Sequence, residues 1–146
     1  REKIKVVLEI IDKAIPYHIV FVVRFGGESY LSTAAKHIQR ADIDRSIIDH
    51  TFDSAWYDDD LLPFHIPLKE SIDNSYKHLC IQLCDRDIAS DITLSNLVAQ
   101  EVVIRKLKHE IKQMKSKVSK CKQFNKKVEL NMELKKLEKG LEKYYR

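Results

Sequence analysis

The sequence predicts an α+β fold: a small antiparallel sheet of about three strands with flanking helices, followed by a long C-terminal antiparallel helical hairpin. Three observations carry this. The run "YHIVFVVRF" at 17–25 is rich in β-branched and aromatic residues and is closed by Gly26-Gly27, whose positive φ angles suit a tight hairpin. Apolar residues recur at helical spacing on both sides of the strand region. From residue 104 the apolar positions fall into two heptad registers that one continuous helix cannot join.

Residues 3–15 read as a helix with Ile4, Val7, Leu8, Ile11 and Ile15 on one face, ended by Pro16. Ile19 to Val23 is an unbroken apolar run. Such a run indicates a strand buried on both faces, hence a central position in the sheet. The returning strand is "SYLSTAAK", Ser29 to Lys36, and a third is expected at "TFDSAW", Thr51 to Trp56. The polar segment 37–50 between them is expected to hold a short helical turn. Residues 57–67, with two prolines and three adjacent aspartates, read as a loop. Pro67 suits the first position of the next helix, whose inner face would be Leu68, Ile72, Tyr76, Leu79 and Leu83. After a loop at 85–92, Thr93 or Ser95 would cap the first arm of the hairpin.

The hairpin follows from arithmetic. Ile104, Leu107, Ile111, Met114, Val118 and Cys121 form one register; Leu130, Leu134, Leu137, Leu141 and Tyr144 form the other. Facing residues of an antiparallel pair have a constant index sum. Val118 with Leu130, Met114 with Leu134, Ile111 with Leu137, Leu107 with Leu141 and Ile104 with Tyr144 all sum to 248. The constant sum makes pairing within one chain simpler than pairing between two. The turn falls at "KQFN", with Asn125 as N-cap and Phe124 over the first core layer. Lys117 is expected beside Glu133 and Lys108 beside Glu138. The arm would project roughly 30–40 Å. The expected domains are an α+β body, 1–91, and a coiled-coil-like helical hairpin, 92–146.

The formal charge of +4 is unevenly spread. Residues 1–100 carry 11 Lys/Arg against 16 Asp/Glu, and residues 101–146 carry 15 against 6. An acidic body with a basic arm suits a polyanion or an acidic protein partner. Between Ile111 and Val128 there is no acidic residue, and Lys112, Lys115, Lys117, Lys120, Lys122, Lys126 and Lys127 surround the turn. One reading is a solvated surface. The functional one is a basic tip contacting DNA or RNA phosphates, without sequence specificity. Phe124 would then be placed to stack on a base.

Other chemistries are poorly supplied. Cys80 and Cys84, four apart beside His78, resemble half a metal site, but no second tidy ligand pair exists, and small thiols on a helix face are the favoured explanation. Asp58, Asp59 and Asp60 read as a solvated loop rather than a cation site. His18 reads as a hydrogen-bonded structural histidine. There is no nucleophile elbow or phosphate-binding glycine loop. No catalytic residue, metal site or cofactor is assigned. Three cysteines, odd and sparse, fit a reducing cytoplasm. No run of 18 apolar residues suggests a membrane span, and no signal peptide is visible. The chain begins at Arg1, the expected mark of a piece of a longer protein.

The stretches "IDKAIPYHIVFVVRF", "STAAKH", "FDSAW" and "KQFNKKVELNMELKKLEKGLE" resemble a bacterial and archaeal family catalogued as a domain of unknown function. The likeness covers nearly the whole chain and is most specific at "AIPYH" and in the hairpin. It implies a role in DNA restriction or phage defence, since members are often encoded near helicase, methyltransferase and restriction-type genes. Such proteins are the implied partners. It implies no catalytic residues. The resulting expectation is a non-enzymatic interaction module. The competing expectation is a metal-dependent nuclease, because helix, three strands, helix is the order of restriction-endonuclease cores. That chemistry needs an acid-x-Lys pair on a strand. "ESYLSTAAKH" has none, and Glu28 with Asp53 is the nearest substitute.

Overall fold

The computed structural model describes residues 2–39, 42–61 and 63–145. The chain divides into two compact units, residues 1–94 and 95–146. In order, the elements are α1 (Glu2–Ala14), β1 (Val20–Phe25), β2 (Glu28–Gln39), β3 (Asp42–Asp53), β4 (Tyr57–Asp58), α2 (Ile72–Gln82), α3 (Leu94–Lys120) and α4 (Phe124–Glu142). The fold is α+β, with a small antiparallel sheet and a C-terminal helical pair.

The sheet is a meander in the order β1-β2-β3, with β4 pairing β2 beyond the end of β3. Gly26 and Gly27, at φ 63° and 79°, make the β1–β2 turn. The central strand is therefore β2, not β1. The apolar run at 19–23 is an edge strand, and Val22 remains 54% exposed. Apolar content alone does not distinguish a buried strand from an uncovered one. The hairpin partner β2 takes its second neighbour from β3, which leaves β1 outside.

The described residues of 37–50 hold no helical turn. They belong to β2 and β3, each 12 residues long, and residues 40 and 41 between them lie outside the described residues. Register shifts at Ala35/Lys36 and Ile38/Gln39 absorb the polar, irregular sequence there. The third strand accordingly ends at Asp53 rather than Trp56. Ser54 closes it, its amide donating to Leu31 O and its hydroxyl accepting from Leu31 N, both at 2.8 Å.

That pair of bonds fixes the polarity of the sheet. Both backbone groups of Leu31 point toward the β3 side. In an antiparallel ladder the direction alternates, so Tyr30 and Ser32 point toward β1. Their partners are Val23 and Phe21. Hence Phe21, Val23 and Phe25 bond inward, and Val20, Val22 and Arg24 direct their N–H and C=O groups away from the sheet.

The two faces of the sheet take different helices. Lys36 and Ser46 bond to α1, and Lys5 of α1 reaches Asp53. On the opposite face Tyr76 of α2 meets Thr33. In α1 the inward line is Leu8 and Asp12, both buried, whereas Val7 is exposed. The helix is rotated from its most apolar face because Asp12 has a buried partner in Lys36. α2 starts later than Pro67: Ser71 is its N-cap and accepts from Asn74 N at 3.3 Å. Pro67 stays outside, where its carbonyl accepts from Ser75 Oγ at 2.7 Å. Leu68 and Ile72 are thus not inner-face residues; they are 86% and 87% exposed.

Helix α3 begins directly after Thr93, at the last residue of the first unit, and its remaining residues belong to the second. Leu97, Ile104 and Ile111, seven apart, are buried. α4 runs antiparallel to α3. Lys115 Nζ lies 3.0 Å from Glu138 Oε1, and seven residues away in opposite directions Lys108 Nζ sits 5.5 Å from the Tyr145 ring centroid. Glu138 therefore takes Lys115 rather than Lys108. Lys117 and Glu133 line one groove with Met114 and Leu137. The turn is Cys121 to Gln123. Gln123, not Asn125, is the N-cap of α4, and its side chain makes no capping bond. No helix among the described residues is long and apolar enough to cross a membrane.

Candidate functional site

The seven lysines singled out from the sequence are all exposed. Lys112, Lys115, Lys117 and Lys120 lie on α3, Lys122 in the turn, and Lys126 and Lys127 in the first turn of α4. Lys115 is paired with Glu138. Among the described residues the other six have no carboxylate within ion-pair distance. The start of α4 has no acidic residue in its first turn. Lys126 and Lys127 therefore face the positive end of the helix dipole, where cations are unfavourable. Phe124 does not cover the core; it stands 78% exposed at the head of α4. Charge without counter-charge, an uncapped helix start and a bare ring meet at one turn.

Several polar residues of the body are used internally. Lys36 is enclosed, and its ammonium donates to Asp12 Oδ1 at 2.8 Å, Asp12 O at 3.0 Å and Ile15 O at 2.8 Å. Ser46 Oγ donates to the same two carbonyls, each at 3.0 Å. Together they satisfy the carbonyl of Asp12 in the last turn of α1 and that of Ile15 just beyond it. Asp53 accepts from Lys5 at 2.8 Å and from Ser32 Oγ at 2.7 Å. Burial works to raise its carboxyl, but the Lys5 bond, the Tyr30 hydroxyl close by and the Ser32 bond outweigh it and hold it below the ordinary carboxylate value. Burial, with Asp53 beside it, pushes the Tyr30 phenol up; the hydroxyl makes no hydrogen bond of good geometry.

Glu28 and Asp53 are not brought together. Asp53 pairs with Ser32 in the ladder, and Glu28 pairs with Asp58. Four residues of strand separate the two positions, roughly 13 Å. Asp59 is taken by the Ser29 hydroxyl, and Asp58 Oδ1 accepts from Asp60 N at 3.1 Å. Cys80 is fully buried, and desolvation pushes its thiol up to about 12. Cys84 Sγ donates to Cys80 O at 3.3 Å. His78 sits 3.4 Å from Glu70. Among the described residues no group of three or more His, Cys, Asp or Glu side chains could hold a metal ion.

The sequence did not reveal a groove of about 720 Å³ between the start of β1 and α2. His18 forms its floor, with Nδ1 3.1 Å from Ala34 O and the ring stacked on Tyr76 at 4.5 Å. The Nδ1 nitrogen donates to that carbonyl, which also accepts from Tyr76 Oη at 2.9 Å. Val20, Ile66, Leu68 and Ile72 give apolar walls, and Glu70, Asp73 and Asp91 line it as acids. The available signal was the hairpin order itself: the first strand of a meander is an edge unless something later pairs with it.

No curated protein and no solved structure matches the chain. A family model matches residues 1–141. By that coverage of both the sheet body and the helical pair, the chain belongs to the family described as a domain of unknown function, DUF4391.

Proposed function

We propose that this chain is a non-enzymatic interaction module that contacts nucleic-acid phosphates through the basic tip of its helical pair. The observation that carries the reading is the set of six lysines around the Cys121–Gln123 turn that have no carboxylate partner among the described residues. A surface evolved only for solubility would gain by placing acids at the start of α4, where the dipole favours them. Here that position holds Lys126 and Lys127, which together with the free N–H groups of a helix start favour an anion. Exposed Phe124 adds a ring on which an unpaired base can stack. The setting we propose is accessory work in DNA restriction or phage defence, beside a restriction, methyltransferase or helicase protein. This setting rests on the family resemblance, not on the site geometry.

The test is a titration of double-stranded DNA, single-stranded DNA and RNA between 50 and 200 mM salt. The partner variant changes Lys112, Lys117, Lys120, Lys122, Lys126 and Lys127 to Gln and leaves the Lys115–Glu138 pair intact. Binding by the native chain should fall steeply with salt, and the variant should lose at least tenfold at 50 mM with a shallower log–log slope, about 0.9 less for each duplex phosphate contact removed. Phe124→Ala should weaken single-stranded binding more than duplex binding. Equal binding by native and variant chains, or none by the native chain at 50 mM, would end the phosphate reading. Magnesium-dependent cleavage abolished by Asp53→Asn would favour the nuclease instead.

A further inference from the structure

The body carries a second surface, independent of the lysine tip, whose chemistry is specific enough to name an occupant. β1 is an edge strand. Val20, Val22 and Arg24 direct three N–H and three C=O groups away from the sheet, as the bonds at Leu31 require. Natural edges are normally blunted by proline, a bulge or inward-pointing charge. "VFVVRF" has no proline, β1 pairs with β2 without a register shift, and its one charge, Arg24, is at the far end near Asp59.

The outward residues also share a face. Val20 pairs with Thr33 and Val22 with Leu31, so their side chains lie on the α2 side, where Tyr76 meets Thr33. A strand added to β1 would place each residue opposite Val20, Val22 or Arg24 with its side chain on this same face. At the Val20 end this face opens into the groove between β1 and α2, so the side chain opposite Val20 and those beyond it toward His18 enter the groove. Its volume, about 720 Å³, is in the size range of roughly 300–1,000 Å³ seen for ligand pockets. The walls are apolar, and three acids face one lysine, Lys77, which already donates to Ser90 O at 3.2 Å. Glu70 has His78 as partner. Asp73 and Asp91 have no ion-pair partner among the described residues.

We propose that this groove binds an extended peptide segment of a partner protein by strand addition to β1. The segment carries apolar and Lys or Arg side chains at alternate positions, directed at the groove. The open backbone edge demands an extended peptide rather than a helix or a small molecule. The apolar walls and acidic lining demand side chains with an apolar body and a cationic tip.

The probe is an acetylated nine-residue peptide in which leucine and lysine occupy alternate positions with threonine between them, titrated against the full chain at 150 mM salt. Two isomers, each N-methylated at four positions, test the geometry. Methylating the leucine and lysine amide nitrogens blocks the edge that must face β1, and should weaken binding at least tenfold. Methylating the threonine nitrogens blocks only the outer edge, and should leave binding within about twofold. Val22→Pro removes an outward N–H without touching the β1–β2 ladder, and should weaken binding about tenfold with the circular dichroism unchanged. Asp73→Asn with Asp91→Asn should weaken binding and remove most of its salt dependence. Amide exchange at Val20, Val22 and Arg24 should slow when the peptide is added. Equal binding by both methylated isomers, or no binding of the parent peptide at 1 mM, would overturn the proposal. So would a dimer of the native chain that Val22→Pro dissociates, since a second copy would then occupy the edge.

Discussion

An enclosed ammonium needs an acceptor for each of its three protons, and Lys36 finds them in Asp12 Oδ1, Asp12 O and Ile15 O. The arrangement ties the end of α1 to the middle of β2 with charge-assisted bonds. Removing one partner leaves the other buried and uncompensated. Lys36→Met should therefore cost about 3–5 kcal/mol, and the double change Asp12→Leu with Lys36→Met should cost less than the two single changes added together. Urea midpoints of the four proteins give the coupling directly; additivity would mean that the pair does not act as a unit. In the sequence Lys36 reads only as the end of a strand. Nothing in local periodicity marks a pair 24 residues apart, because the signal is tertiary. The same limit applies to Leu68 and Ile72, whose helical spacing was real as a pattern but preceded or opened the helix rather than filling its inner face.

Among the elements, the helical pair was legible and the sheet order was not. The pair declares itself because facing positions obey a fixed sum, a relation written entirely in one dimension. Ile104 and Ile111, placed on the inner line by that relation, are buried. Strand order carries no such relation. The β-branched run at 19–23 was correctly assigned to a strand, but whether a strand is central depends on which later segments pair with it. The polar stretch 37–50 reads as a helical turn rather than as strand for a related reason: long strands with bulges lose the two-residue alternation that identifies them. The turn between α3 and α4 offers a prediction of its own. Gln123 occupies the N-cap of α4 without a capping bond, so Gln123→Ser should stabilise the chain by about 1 kcal/mol. A higher urea midpoint with unchanged slope is the expected result. No gain would mean that the start of α4 is satisfied in some other way.

Across the whole molecule, charge divides at the boundary between the compact units. Residues 1–94 carry 11 Lys/Arg and 16 Asp/Glu, a net of −5, and residues 95–146 carry 15 and 6, a net of +9. The candidate tip was legible in the sequence because the tool for phosphate contact is simply unneutralised charge. The groove was not, since it is assembled from segments at 18–20, 66–79 and 91–94 that only the fold brings together. The division of charge also makes the chain, in the language of colloids, a particle with two patches of opposite sign. Its net charge of +4 predicts mutual repulsion between copies, yet the patches predict attraction when the acidic unit of one meets the basic unit of another. Which prevails depends on how far the fields reach, about 30 Å at 0.01 M ionic strength and about 8 Å at 0.15 M. Light scattering should therefore give a negative second virial coefficient in dilute buffer that rises to zero or above as salt is added, the reverse of the behaviour of a uniformly charged sphere. The six-lysine variant, with its basic patch thinned, should lose most of that inversion.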